Sequence, residues 1–350
     1  MDFFQQFDAG LQIPSRQGFA KAREKISYLA FKDFFEKSCE LVVEHTESKL
    51  YKGYRLMAID GTSFVVGNFD KLCDHFGKST TVPGKAMCRI SAVVDVLDDS
   101  IADALVSPFC EGERALAIRH VETMKAVNNA LFLFDRGYWS EELVAKIIAN
   151  EQKFLMRLPS NNKKSSIIST DGDKREIPLR RFSFTLPSGA EETLITNILD
   201  NEMSNNELAA LYAKRWGIET KYLELKNRLQ IDKFSGESVN TVLQDIYSTL
   251  YISNLVAFIC DSANEIIEDK QAGKSNKYKQ KANKSICIAT LRRRFISICL
   301  AEDNLLQQIL LDRLYYDISK SVTYIGKSKA RPRNKRDIKN SRTHYNKPLL

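Results

Sequence analysis

Hydrophobic and polar positions divide the chain into stretches of different character. Up to residue 53, apolar and charged residues are mixed without strand-like alternation, which predicts a mostly helical region with Ser15 as an N-cap. From Tyr54 onwards, short apolar runs alternate with amphipathic segments. Strands are predicted at 56–66, 88–97, 101–108, 130–135 and 154–158, and helices at 113–128 and after Ser140. This alternation predicts an α/β sheet covered on both faces.

The pattern changes after Leu158. Residues 159–203 are first polar and then strand-like at 181–186 and 192–197, which predicts a small β-rich insertion. Ser204 and Glu207 have capping-box spacing, so one long helix is expected from there to about Leu229. The rest predicts an apolar helix at about 239–267, a linker or exposed loop at 270–284, helix at 286–319 and a basic tail from Gly326.

Composition narrows the class of protein. The 350 residues are 43% hydrophobic and 27% charged, which excludes a wholly disordered or fibrous chain and fits about two domains, or one with insertions. The longest apolar stretch, 250–260, is shorter than the roughly 18 residues of a membrane span, and the N-terminus has no signal-peptide pattern. A cytoplasmic protein without a membrane partner is therefore expected.

Cysteine and histidine usage argues against zinc chemistry. The seven cysteines are scattered without a Cys-x-x-Cys pair, and the four histidines complete no zinc pattern. Buried or free thiols in a reducing cytoplasm are expected instead.

Charge is unevenly distributed along the chain. Residues 271–350 contain 19 basic and 5 acidic residues, although the whole chain has a net charge of only +8. A basic end on a neutral-to-acidic body suggests a polyanion as partner. A solvated basic tail without a partner is the alternative.

Two aspartates stand in unusual positions. Asp60 lies inside a predicted apolar strand and Asp135 at the end of another, where a carboxylate is costly to bury unless it is paired or bound to a metal. Each is closely followed by a glycine, Gly61 or Gly137, which permits close approach of a ligand. Without matching histidines, two such acids favour an oxygen-ligand site for Mg²⁺ or Mn²⁺. Either one alone could simply cap a strand or start a turn.

The predicted long helix adds a polar strip. Tyr212, Arg215, Glu219 and Lys226 fall within about 60° of one another at about 100° per residue. An apolar stripe lies beside them, so the helix would pack with one face and present a carboxylate, two cations and a phenol next to it. An ordinary surface helix could produce the same strip by chance.

Together these motifs resemble the bacterial insertion-sequence DDE transposases, in particular the family of insertion sequence four. The resemblance lies in Asp60-Gly61-Thr62, in Asp135-Arg136-Gly137-Tyr138 and in the Tyr-x2-Arg-x3-Glu-x6-Lys signature that starts at Tyr212. It extends in order over about residues 15–265.

The resemblance implies a fold, an activity and a site. The fold is α/β: a ribonuclease-H-like mixed sheet flanked by helices, with a β-rich insertion and helical N- and C-terminal regions. The activity is cut-and-paste DNA transposition with two Mg²⁺ or Mn²⁺ ions, acting on terminal inverted repeats and target DNA as a homodimer. Asp60, Asp135 and Glu219 would be the catalytic metal ligands. Phosphate-binding residues would be Tyr212, Arg215, Lys226 and Arg136.

The pattern along the chain and the resemblance together predict the domain organisation. A helical region, 1–53, precedes a catalytic core, 54–158 and 204–267; the core is interrupted by the insertion, 159–203, and followed by a basic region, 268–350. Fewer residues precede Asp60 than a full N-terminal DNA-binding domain would need. Two alternatives therefore stay open: a truncated or domesticated DNA-binding relative, and a structure-specific nuclease on the same core.

Overall fold

The computed structural model describes residues 15–44, 48–79, 82–168, 175–186, 189–199, 202–274 and 278–325. By their internal contacts, the described residues form two compact units, one within 27–250 and one made of those within 1–26 and 251–350. The predicted basic tail from Gly326 lies outside the described residues. The predicted limits of the insertion and of the catalytic core stay predictions.

A seven-stranded sheet forms the centre of the unit 27–250. Its strands are β1 (Arg55–Gly67), β2 (Ala86–Asp95), β3 (Ser100–Pro108), β4 (Ala130–Phe134), β5 (Lys153–Arg157), β8 (Arg180–Thr185) and β9 (Glu191–Thr196). Between β5 and β8 in the chain, β6 (Ser166–Ile168) and β7 (Glu176–Pro178) form a separate two-stranded sheet. The order across the sheet is β3-β2-β1-β4-β5-β9-β8.

Strand direction defines the type of sheet. β1, β2 and β3 pair antiparallel, β1 pairs parallel with β4 and β4 with β5, and β9 and β8 add an antiparallel edge. With helices packed against it, this is the ribonuclease-H-like mixed sheet that the resemblance implied. The predicted strand-like segments 181–186 and 192–197 correspond to β8 and β9 and extend the central sheet, whereas the separate pair β6–β7 lies in the earlier part of 159–203, where no strand was predicted.

Ten helices accompany the strands in the described residues. They are α1 (Arg16–Glu24), α2 (Tyr28–Glu44), α3 (Asp70–Phe76), α4 (Glu113–Thr123), α5 (Glu141–Ala149), α6 (Asn205–Tyr212), α7 (Trp216–Asn227), α8 (Val239–Gln271), α9 (Lys284–Cys299) and α10 (Asn304–Ser319).

Predicted caps fix several helix starts. The hydroxyl of Ser15 accepts the Gly18 amide, and that of Ser140 accepts the Leu143 amide. At the start of α6, Ser204 accepts the Glu207 amide while the Glu207 carboxylate accepts the Ser204 amide. These bonds satisfy amides that lack a partner inside the first turn, and they confirm all three predicted caps.

The single long helix predicted from Ser204 to Leu229 is wrong in one respect. A 3₁₀ turn, Ala213–Arg215, separates α6 from α7. Hydrophobic periodicity does not reveal a three-residue 3₁₀ turn because it differs from an α-helical turn by only about 0.6 residue. After this turn α7 passes close to the β2–β3 connection, where a Cβ at Gly217 would lie 3.0 Å from the Val96 side chain.

A buried polar triad ties α4 to the sheet. His120 Nδ1 lies 2.7 Å from Asp103 Oδ2, and His120 Nε2 lies 3.0 Å from Ser91 Oγ. This is the order of groups in a serine nucleophile site, but Ser91 and His120 are both 0% exposed. A side chain without access to solvent cannot attack a substrate, so the triad serves packing.

The other unit has its own core. The second half of α8 packs with α9 and α10 around buried apolar residues that include Val256, Cys287 and Leu314. The predicted linker at 270–284 is partly wrong, because β10 (Lys279–Ala282) pairs with β11 (Val322–Ile325). Periodicity did not indicate this strand, since its sequence is Lys-Gln-Lys-Ala.

Helix α8 bears on the question of a membrane span. Within the described residues it is the one helix long and apolar enough to cross a bilayer by length and composition. The core helices of soluble proteins pass the same test, and 72% of its most apolar window is buried inside the protein. This is weak evidence for a membrane.

Candidate active site

Strand register brings the first two predicted acids side by side. β1 and β4 run parallel, with Arg55 opposite Ala130 and Ala58 opposite Leu133. Continuing that register by two residues sets Asp60 level with Asp135, although β4 itself ends at Phe134. Neighbouring strands are about 4.8 Å apart, so this register would set the backbones of two acids from distant parts of the sequence next to each other in the sheet.

Arg215 connects the third acid to this pair. Its guanidinium donates to Glu219 Oε1 at 2.9 Å, with 7% of the Arg215 side chain exposed. It also lies between the rings of Tyr212 and Trp216, 5.8 and 5.9 Å from their centroids. Its charge acts on Asp60 and on Asp135, so one buried cation faces all three predicted catalytic acids.

The environment of Asp60 disfavours its negative charge. Burial raises the pKa of Asp60 to about 6, against the opposing effects of the Gly61 amide and Arg215, and with a further rise from Glu113 and Glu219. The Gly61 amide donates to Asp60 Oδ1 at 2.9 Å. A carboxylate that is held partly desolvated beside other acids is typical of a functional site.

Asp135 forms an ion pair that the sequence did not indicate. Arg157 Nη2, at the end of β5, lies 3.0 Å from Asp135 Oδ1, and Arg157 Nη1 also pairs with Glu192 on β9. Asp135 is 35% exposed and Arg157 is 24% exposed. β5 brings Arg157 here because it is the next parallel strand after β4.

The predicted phosphate-binding residues have different surroundings. The hydroxyl of buried Tyr212 donates to the Phe134 carbonyl at 3.2 Å, and burial raises the pKa of Tyr212 to about 12. Lys226 donates to Thr62 Oγ1 at 2.7 Å, and partial burial lowers its pKa. Arg136 is exposed. Arg136 follows Asp135 directly. Tyr212 and Lys226 contact Phe134 and Thr62, which lie one residue before Asp135 and two residues after Asp60.

Glu113, the first residue of α4, is a further acid near the site. A Cβ built on Gly61 would lie 3.4 Å from Glu113 Oε1, an ordinary van der Waals distance, so the Glu113 carboxylate lies directly beside the residue that follows Asp60. Arg89 Nε lies 3.8 Å from the same oxygen. No spacing rule would have selected Glu113, because its proximity depends on how α4 folds back across β1.

Two tyrosines complete the surroundings of Asp60. Tyr222 on α7 donates to the Asp60 carbonyl at 2.7 Å and thereby fixes α7 against β1. Tyr138 is 2% exposed, and its pKa is raised first by burial and then by the charges of Asp60 and Glu113.

Four buried polar atoms around the acids have no hydrogen-bond partner. They are Asp135 Oδ1, which keeps its ion pair, Tyr138 OH, Arg157 Nε and Arg215 Nε. Buried polar atoms are normally satisfied, so this concentration indicates a place that binds a polar ligand. The carboxylate oxygens of Asp60, Asp135 and Glu219 are of the type that binds a hard cation such as Mg²⁺, whereas the two guanidinium Nε atoms are hydrogen-bond donors that suit an anion. In the described residues, however, no group of three His, Cys, Asp or Glu side chains is already arranged to hold a metal ion.

Comparison with known proteins assigns the family. A family model described as "Transposase DDE domain" matches residues 51–255, more than half of the chain, and spans all of the predicted site residues. The chain belongs to the DDE transposase family. It is also 25% identical over 231 residues to y4zB of Sinorhizobium fredii (strain NBRC 101917 / NGR234), provisionally named a transposase. That match covers 56% of this chain and 58% of the relative.

Among solved structures, the chain is similar to the piggyBac transposase in its synaptic complex with hairpin DNA. The two share 13% sequence identity at a TM-score of 0.47, over 89% of this chain and 66% of the other.

Proposed function

We propose that this DDE transposase cleaves phosphodiester bonds at the ends of a mobile element and joins those ends to target DNA, as in the family of insertion sequence four. The observation that supports this most is the shared level of Asp60 and Asp135 on adjacent parallel strands, with Glu219 held opposite them through Arg215. Three such acids, two on the sheet and one on α7, would offer the oxygen ligands that metal-assisted phosphoryl transfer uses.

The three carboxylates would hold Mg²⁺ or Mn²⁺, as DDE transposases generally use divalent ions. A bound pair of such ions would supply activation of the attacking hydroxyl and stabilisation of the leaving oxygen. Arg215 and Arg157 now neutralise Glu219 and Asp135, so both guanidiniums would have to release carboxylate oxygens. A DNA phosphate offers an equivalent partner, because guanidinium binds carboxylate and phosphate with the same paired geometry.

The remaining signature residues would position the strand. Lys226 contacts Thr62, two residues after Asp60, and a shift of its ammonium group towards solvent would present a point charge to phosphate. Arg136 follows Asp135 directly and is exposed on the same edge. Tyr212 supports Asp135 indirectly by holding the carbonyl of the residue before it. Because the protein would act on both ends of the element, we expect it to work as a homodimer on DNA. Its place of action would be the cytoplasm, at the nucleoid.

The test uses the full chain and DNA taken from both flanks of its gene. Wild-type protein with Mg²⁺ should nick and release the element end and then join it to a target plasmid. Asp135→Asn should abolish both steps, whereas Asp74→Asn, on the exposed face of α3, should leave both unchanged. Cleavage without joining would favour the nuclease alternative, and binding without either step would favour the domesticated relative.

A further inference from the structure

A cleft of about 350 Å³ opens beside the candidate active site. One wall is the end of β5 with Arg157 and Ser160, and the other is the β8–β9 edge with Arg181 and Ser183. Arg136, directly after Asp135, completes the lining. The cleft thus lies between the predicted catalytic edge and the part of the sheet contributed by 180–196.

The cleft and the acids share one side chain. The Arg157 guanidinium reaches Asp135 with Nη2 and Glu192 with Nη1, and its buried Nε has no hydrogen-bond partner. Glu192 also lines the cleft, and it shares the charge of Arg157 with Asp135. A ligand in the cleft would therefore meet an arginine that contacts a predicted catalytic carboxylate.

The lining has three arginines against two glutamates, Glu191 and Glu192, and this excess of positive charge suits phosphate oxygens. Arg136 and Arg181 are exposed, and within the described part of the chain the Arg181 guanidinium donates one long hydrogen bond, 3.4 Å, to the Asn162 carbonyl. The hydroxyls of Ser183 and Thr193, 3.0 Å apart, add neutral donors. Guanidinium and hydroxyl groups are the usual contacts of a DNA backbone, and the lining contains no aromatic ring on which a base could stack.

We propose that this cleft binds the phosphate backbone of DNA next to the bond that is cut, with Arg181 and Arg157 as the contacting cations. The inference rests on the proposed function, since it gives that site a path for the strand. Volume supports it: 350 Å³ is at the lower end of the range for small-ligand sites, about 300–1,000 Å³. Such a cleft accepts a short piece of one backbone, not the body of a duplex.

Arg181→Ala in the full chain tests the proposal. Binding to fluorescent duplex from the gene's flank is followed by anisotropy across a salt series. We expect about ten-fold weaker binding, the loss of one charge-assisted contact. The slope of log K against log salt should fall by about 0.9 on duplex and about 0.7 on the single strand. A duplex of unrelated sequence should lose as much, because backbone contacts are independent of sequence.

Arg119→Ala is the matched control. Arg119 is an exposed arginine of α4 that pairs with Glu111 outside the cleft lining, so its loss removes the same charge. An Arg181→Ala protein with the affinity and slope of Arg119→Ala would overturn the proposal. Wild-type protein that binds DNA but never cleaves it would refute the catalytic function. The salt slopes of Arg181→Ala and Arg119→Ala would then still decide whether the cleft binds the DNA backbone. Failure of the wild type to bind any DNA would overturn both.

Discussion

Asn in place of Asp60 should make the metal-free protein more stable while it removes activity. Burial raises the pKa of Asp60 from 3.8 to about 6. The folded state therefore holds the proton more tightly than the unfolded state, so ionisation destabilises the fold as pH rises from below 3.8 to above 6. A shift of about two pKa units corresponds to about 3 kcal/mol, fully present at neutral pH.

Asp60→Asn keeps the acceptor for the Gly61 amide and removes the charge. We expect its free energy of unfolding to exceed that of wild type by up to about 3 kcal/mol at neutral pH, and by almost nothing below about pH 4. Urea unfolding can be followed through Trp139 and Trp216, which both lie in the unit 27–250. Asp74→Asn on exposed α3 serves as the control and should match wild type at every pH.

Mg²⁺ should nearly cancel this difference in stability. Wild type should gain about 2.7 kcal/mol at a concentration one hundred times its dissociation constant, and Asp60→Asn should gain little. An Asp60→Asn protein no more stable than wild type without metal would refute the account of a desolvated carboxylate. Equal stabilisation of both proteins by Mg²⁺ would refute Asp60 as a metal ligand.

The other predictions concern three further residues. Glu219→Gln should abolish Mg²⁺-dependent cleavage yet bind element-end DNA as well as wild type or slightly better in a gel shift; full cleavage would exclude Glu219 as a catalytic acid. Glu113→Gln should move the acid limb of the cleavage pH profile to lower pH, because Glu113 raises the pKa of Asp60; an unchanged limb would argue against their coupling. His120→Ala should lower the free energy of unfolding by at least about 2 kcal/mol, since two polar partners lose their hydrogen bonds; calorimetry showing no loss would contradict that role.

Much of the fold could be predicted because its signals are local. Apolar runs marked β1 to β5, and Ser15, Ser140 and Ser204 marked helix starts through bonds that span three residues. The pairing of β10 with β11 was missed, because a polar four-residue strand depends on a partner some forty residues away.

The residues of the candidate site likewise fall into those with a signal in the sequence and those that depend on the tertiary fold. Asp60 and Asp135 stood out because a carboxylate within or at the end of an apolar strand is unusual. Glu219 stood out as part of a polar strip on a predicted helix, and a family resemblance connected the three. Glu113 and Arg157 did not stand out. Glu113 reaches the site because α4 packs beside Gly61, and Arg157 reaches it because β5 lies next to β4. Both contacts depend on the tertiary fold, and no spacing along the chain encodes them.

The 3₁₀ turn between α6 and α7 changes the direction in which the side chains of α7 project around the helix axis, relative to those of α6. Each of its three residues turns the chain by about 120° instead of about 100°, so α7 is rotated by about 60° relative to an uninterrupted helix. Counted from Tyr212, Arg215 then returns to about 0°, and Glu219 and Lys226 fall at about 40° and 20°. The four signature residues span about 40° rather than the 60° of a regular helix, so a short irregularity aligns them more closely than perfect helical geometry would.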